Sequence, residues 1–150
     1  MTLRLFTEEI YLMNCTTTEL LNRLKQAEDI NGFIEENSGE FMETSFVDFL
    51  NEMLVCKNTS VADVMKGSGQ SDYVYKIFRG ERKPSRDIVI AVAVGMGLDA
   101  DEAQLLLRIA KLARLDPRDK RDSVIIYGLK ERLDIGRIND ILYDLNEATL

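Results

Sequence analysis

The sequence predicts an all-α fold, and three observations carry that reading. No stretch alternates apolar and polar residues with period two for long, apolar residues recur at three- and four-residue spacing, and turn signals arrive every ten to fifteen residues. The helix starts are marked as well. Thr16 with Glu19, Ser45 with Asp48 and Ser60 with Asp63 each fit an S/T-x-x-D/E box. There the first side chain accepts from the third helical amide, and the acid offsets the free donors at the helix start.

Taken in order, the first helix is expected over 17–30, running toward Phe33, with Leu20, Leu21, Leu24 and Ala27 as its stripe. The next spans 46–57 (Phe46, Phe49, Leu50, Met53, Leu54), followed by a short helix over 61–67 (Val61, Val64, Met65) and another over 71–79 (Val74, Ile77, Phe78). Helices over 86–96, 100–114, 118–132 and 135–146 complete the chain. Asp99 precedes the third-last of these, Asp116 followed by Pro117 places a capping acid before a proline at a first helical position, and Asp134 opens the last. None of these stripes is broad enough to stand alone, so each helix needs its neighbours.

A chain of 150 residues suits one compact domain, or a small domain with a helical piece attached. Its 45% hydrophobic and 30% charged residues place it among folded chains rather than disordered ones. Cys15 and Cys56 are too few for a disulfide framework and read as reduced, buried, small apolar residues. Met42, Met53, Met65 and Met96 read as core filler. Glu8 and Glu9 interrupt the stretch where a signal peptide needs unbroken apolar sequence. The longest apolar run, IVIAVAVGMGL over 88–98, is about half of what a bilayer crossing requires. The expectation is a cytoplasmic protein with no membrane partner and a buried helix over that run.

Enzyme chemistry is not expected. Histidine is absent, which removes the commonest general base and metal ligand and any Ser-His or Cys-His pairing. The two cysteines lie too far apart for zinc-finger spacing. The Gly67-Ser68-Gly69 stretch lacks the lysine and the preceding strand of a phosphate-binding loop. Neither a cofactor nor a metal is expected.

Charge is unevenly distributed. The formal net charge is -7, yet residues 1–56 hold eleven acids against three bases, and the two signs nearly balance from 57 onward. Within that later part, KIFRGERKPSR over 76–86 gathers five basic side chains and one acidic one around a glycine and a proline. Just before it, SVADVMKGSGQSDYVY offers a short capped helix, a glycine turn and a second short helix opened by Ser71, the bare form of a helix-turn-helix. In the second helix Val74, Ile77 and Phe78 share the core face. Asp72, Tyr73, Lys76 and Arg79 then point outward with Tyr75 on the flank, a face fit for a major groove. Gly80 ends the helix, and Arg82, Lys83 and Arg86 follow in a loop stiffened by Pro84 and capped by Ser85, where cations meet phosphates.

The stretch resembles the Xre-type (lambda-repressor-like) helix-turn-helix family. Specifically, it resembles a bacterial subgroup whose motif ends in YVYKIFRGERKPSRD-like sequence, and the similarity continues through IVIAVAVGMGLDADEAQLLLRIAKLARL into RDSVIIYGLKERLDIGRINDILYD, which looks like that subgroup's C-terminal tail. The resemblance covers about 46–146. Gly69 to Tyr73 is one residue shorter than the family pattern, and Gln70 stands where an apolar residue is common. The resemblance implies a five-helix DNA-binding domain, often dimeric on DNA, acting in sequence-specific transcriptional regulation. The expected division is an acidic helical extension over 1–45, the DNA-binding domain over 46–114, and a C-terminal helical pair over 115–150 that packs on it or dimerises. The residues expected at DNA are Ser71, Asp72, Tyr73, Tyr75, Lys76, Arg79, Arg82, Lys83 and Arg86. Asp72 either complements the helix dipole or accepts from a cytosine amine. The alternative is a protein-interaction module, an adaptor or antagonist using the same fold, with a protein partner at the acidic N-terminal segment.

Overall fold

The computed structural model describes residues 16–41 and 45–150, and every regular element among them is a helix. Among the described residues no helix is long and apolar enough to cross a membrane. The chain divides into two compact units, Met1–Glu43 and Thr44–Leu150. Met42 and Cys15, expected in the core, lie outside the described residues, as do Glu8 and Glu9.

In the first unit, the single helix expected over 17–30 is two: α1 (Thr17–Gln26) and α2 (Ile30–Glu36), followed by a 3₁₀ turn over Ser38–Glu40. Ala27 is extended, and Asp29 restarts the helix by accepting the Gly32 amide at 2.8 Å. Thr16 and Glu19 form the expected reciprocal box, and the Thr16 amide's hydrogen bond, with that of its hydroxyl, holds the Glu19 carboxyl below its ordinary value. The Phe33 and Phe41 rings meet edge-on at 6.3 Å. Asn37 donates to the Phe33 carbonyl and accepts from Arg23. Phe33 is the one buried apolar residue described here, while Leu21, Leu24, Ile30, Ile34 and Phe41 are exposed.

The second unit holds α3 (Phe46–Cys56), α4 (Val61–Ser68), α5 (Tyr73–Phe78), α6 (Arg86–Gly95), α7 (Ala100–Ile109), α8 (Lys120–Lys130) and α9 (Ile135–Asp144). The apolar run is its centre: Val89 to Ala93 are all buried in α6, followed by Met96 and Leu98. Helix α6 packs on α4, α7 and α9. The α4–α6 crossing is close because Gly67 and Gly95 face each other. A Cβ on Gly95 would stand 2.7 Å from the Val64 carbonyl oxygen and the Ser68 amide nitrogen. Helix α8 meets α9 at a similar seam, Gly128 against the fully buried Ile138. Residues 46–114 and 115–150 lie within this one unit, α8 packing on α7 and α9 on α6.

The caps at Ser45, Ser60, Ser85, Asp99 and Asp134 form as expected, each side chain accepting the amide three residues on. Two boundaries differ. Helix α7 stops at Ile109 rather than 114, because Lys111 adopts a left-handed φ of 58° and closes the end through Lys111 N–H to Arg108 and Leu112 N–H to Leu107. Helix α8 starts at Lys120 rather than 118. Asp119 is its cap, and Asp116 closes a local turn by accepting the Arg118 amide. Cys56 is exposed rather than buried, since it is the last residue of α3, past the helices that cover Phe49, Leu50 and Met53. Met53 and Met96 are buried and Met65 is half-buried.

Candidate functional site

The site builds from the turn between α4 and α5. Helix α4 runs on through Ser68, whose buried hydroxyl donates to the Met65 carbonyl, and Gly69 closes it at φ 66°. The turn rests on the C-terminal pair, with Ile135 Cγ2 3.6 Å from where a Cβ on Gly69 would sit. Helix α5 begins at Tyr73, two residues later than expected. Ser71 still serves its start, accepting the Tyr73 amide at 3.4 Å on its hydroxyl and the Val74 amide on its carbonyl. Asp72 holds the cap position without a side-chain hydrogen bond to the helix and is exposed.

Val74, Ile77 and Phe78 fix the inner face of α5 in the core. The i, i+3, i+4 spacing then sends Tyr75, Lys76 and Arg79 outward. Tyr75 is 37% exposed, so its side chain is partly covered. Asn51 of α3 ties down the C-terminal end of α5, donating to the Val47 and Phe78 carbonyls. Gly80, at φ 75°, lets Gly80 N–H reach the Ile77 carbonyl and Glu81 N–H the Lys76 carbonyl. This double closure turns the chain sharply into the basic loop. Tyr73 is half-buried, and its hydroxyl donates to the Lys83 carbonyl at 3.4 Å, a weak link from α5 to that loop.

The five cations divide into three groups. Lys76, Arg82 and Lys83 are exposed with no side-chain partner among the described residues. Arg79 forms an exposed pair with Glu81, its Nε 3.1 Å from the carboxylate. Arg86 is engaged elsewhere. Its guanidinium forks onto Asp122 at 3.1 and 2.7 Å and donates to the carbonyls of Ala113 and Arg114. Four of its five N–H groups are thereby used, and the one left cannot hold a phosphate bidentately. The expectation that Arg86 joins Arg82 and Lys83 on an outside ligand gives way to a structural role.

Asp122 is the residue that sequence reasoning missed. It is 5% exposed and accepts from Arg86 and from the Asp116 amide. Burial alone raises its pKa, but the Arg86 and Asp116 hydrogen bonds outweigh this and hold it below its ordinary value. Its neighbour Arg121 pairs back onto Asp87 and reaches the Ala148 carbonyl, so Arg-Asp at the start of α6 and Arg-Asp at the start of α8 are cross-paired. The signal was present as two Arg-Asp dipeptides, each one residue past or near a helix cap, but nothing local says that they meet. The same contacts bring the 113–114 backbone, with exposed Arg114, beside the end of the basic loop, and exposed Arg118 follows four residues on.

No cluster of carboxylates or cysteines able to hold a metal occurs among the described residues. Comparisons with protein-family models, curated proteins and solved structures found no match.

Proposed function

We propose that the second unit is a sequence-specific DNA-binding module of a transcriptional regulator, with α4 and α5 acting as a helix-turn-helix. Helix α5 then enters the major groove, where Lys76 and Arg79 reach bases or adjacent phosphates, Tyr73 and Tyr75 flank it, and Ser71 and Asp72 stand at its entry. Arg82 and Lys83 hold the phosphate backbone. The observation that carries this reading is the outer face of α5: a helix pinned by three buried residues presents only polar, aromatic and basic groups, and is followed, past the Arg79–Glu81 pair, by Arg82 and Lys83, exposed with no side-chain partner among the described residues. Binding as a homodimer to two half-sites belongs to the same proposal.

The test is the salt dependence of duplex binding. Arg82→Ala with Lys83→Ala should weaken binding to every sequence and reduce the slope of log K against log salt by about two. Unchanged affinity and slope would remove these residues from the interface.

A second reading is favoured by the first unit, where Leu21, Leu24, Ile30, Ile34 and Phe41 are exposed beside the acidic excess of residues 1–56. Apolar residues left uncovered in so small a unit suit a protein partner. Flow-through on nonspecific DNA at low salt, with a co-purifying protein, would favour that adaptor reading.

A further inference from the structure

A second run of cations, KLARLDPRDKR over 111–121, carries five basic residues against two acidic ones. Sequence spacing assigns its first part to a helix; the structure instead unwinds it after Ile109. Gln104 grips the unwound segment by exchanging two hydrogen bonds with the Leu115 backbone, at 2.7 and 2.8 Å. Arg86 grips it through the carbonyls of Ala113 and Arg114. The acids in the run cap backbone amides and form no ion pair with its cations among the described residues: Asp116 accepts the Arg118 amide and Asp119 the Asp122 amide. Lys120 and Arg121 are paired with Glu147 and Asp87. That leaves Lys111, Arg114 and Arg118 exposed with no side-chain partner among the described residues.

Placement gives these cations a meaning. The Arg114 carbonyl lies 3.1 Å from the Arg86 guanidinium, and Arg86 follows Lys83 by three residues, about 10 Å of chain at full extension. The backbone of a segment rich in unpaired cations is therefore held within a short stretch of chain from Arg82 and Lys83. One strand of a duplex presents a charge per 3.4 Å of axis, so cations up to about 10 Å apart can meet different phosphates of one strand.

We propose that Arg114 and Arg118 form a second phosphate-contacting surface, contiguous with the 79–86 loop and held in place by Arg86. This rests on the DNA-binding reading above and extends it from one loop to a band, with the anionic backbone of duplex DNA as its ligand. Because the contacts are to backbone, they add affinity and salt dependence without adding sequence preference.

The experiment titrates a duplex of random sequence with the full chain over a series of salt concentrations, comparing wild type, Arg114→Ala/Arg118→Ala, and Lys25→Glu. The last removes the same two units of charge from the first unit and controls for net charge. The double variant should bind more weakly, with the slope reduced by about two, while Lys25→Glu should leave the slope unchanged. Both side chains are exposed and unpaired, so the melting temperature should match wild type. A double variant that binds with wild-type slope overturns the inference while leaving the DNA-binding reading intact. An equal change in Lys25→Glu also overturns it, as a net-charge effect. A wild-type chain that fails to bind at low salt overturns both.

Discussion

Arg86 and Asp122 show at the level of single residues how a charge can look like a ligand contact and be part of the frame. A guanidinium beside a turn reads as a phosphate contact, but the fork geometry of Arg matches a carboxylate as well as it matches a phosphate. Here the carboxylate is supplied 36 residues later in the same chain. Removing one partner leaves the other charge largely buried, so Arg86→Ala should destabilise the protein by about 3 kcal/mol in denaturant unfolding. The salt slope of DNA binding measured on the remaining folded protein should not lose a contact, in contrast to Arg82→Ala/Lys83→Ala. The pair also has an acid limit. The Asp122 pKa is depressed on folding, so its contribution is fully present above the unfolded value near pH 4 and is lost as pH falls through the lower folded value. Asp122→Asn should therefore be less stable than wild type at neutral pH, and the gap should narrow as unfolding is followed into acid below about pH 4. A gap that stays constant across that range would show that the pair is not the source.

Helix closures and crossings organise the elements, and there the chain is only partly legible. The caps at Ser45, Ser60, Ser85, Asp99 and Asp134 could be read from sequence because an N-cap is a local hydrogen bond between residues three apart. The apolar stripes of α5 and α6 were legible for the same reason: spacing alone fixes which face is buried. Closures by left-handed lysine or arginine were not. Lys111 and Arg132 carry no local signal of the kind glycine gives, and each takes φ above 50° because the tertiary fold turns the chain there. The break between α1 and α2 rests on Asp29, a capping acid inside an otherwise continuous apolar pattern. Gly67 was legible as a glycine but not as a seam, since its partner Gly95 comes from another helix. That seam sets the distance between α4 and α6 and so the height at which α5 is presented. Gly95→Ala would push a methyl onto α4 backbone at 2.7 Å and should cost about 1–3 kcal/mol in unfolding free energy, well beyond the small gain expected of alanine in a helix. A variant as stable as wild type would mean that the crossing is not tight.

Across the whole molecule, acidity and basicity are kept apart along the chain. Residues 1–56 account for the excess of negative charge, while the cations of 76–86 and 111–121 are brought to one region of the second unit by Arg86, Asp122 and Gln104. The net charge of -7 therefore says little about what that region binds. The outward residues of α5 were legible because spacing within one helix fixes its exposed face. The placement of 111–121 was not, because its backbone is held by Arg86 and Gln104, neither of them adjacent to it in sequence. Two exposed tyrosines on α8 and α9, Tyr127 and Tyr143, have no explanation in the packing of the unit.

The central claim is that α5 reads DNA sequence. Selection of the full chain against random duplexes at a fixed salt near 0.1 M, where exposed charges are screened beyond about 10 Å, tests it most directly. The account predicts enrichment of a defined site that Lys76→Ala alters at one or a few positions, while Arg82→Ala/Lys83→Ala weakens binding without changing the preferred sequence. Recovery of a pool with the composition of the input would contradict it.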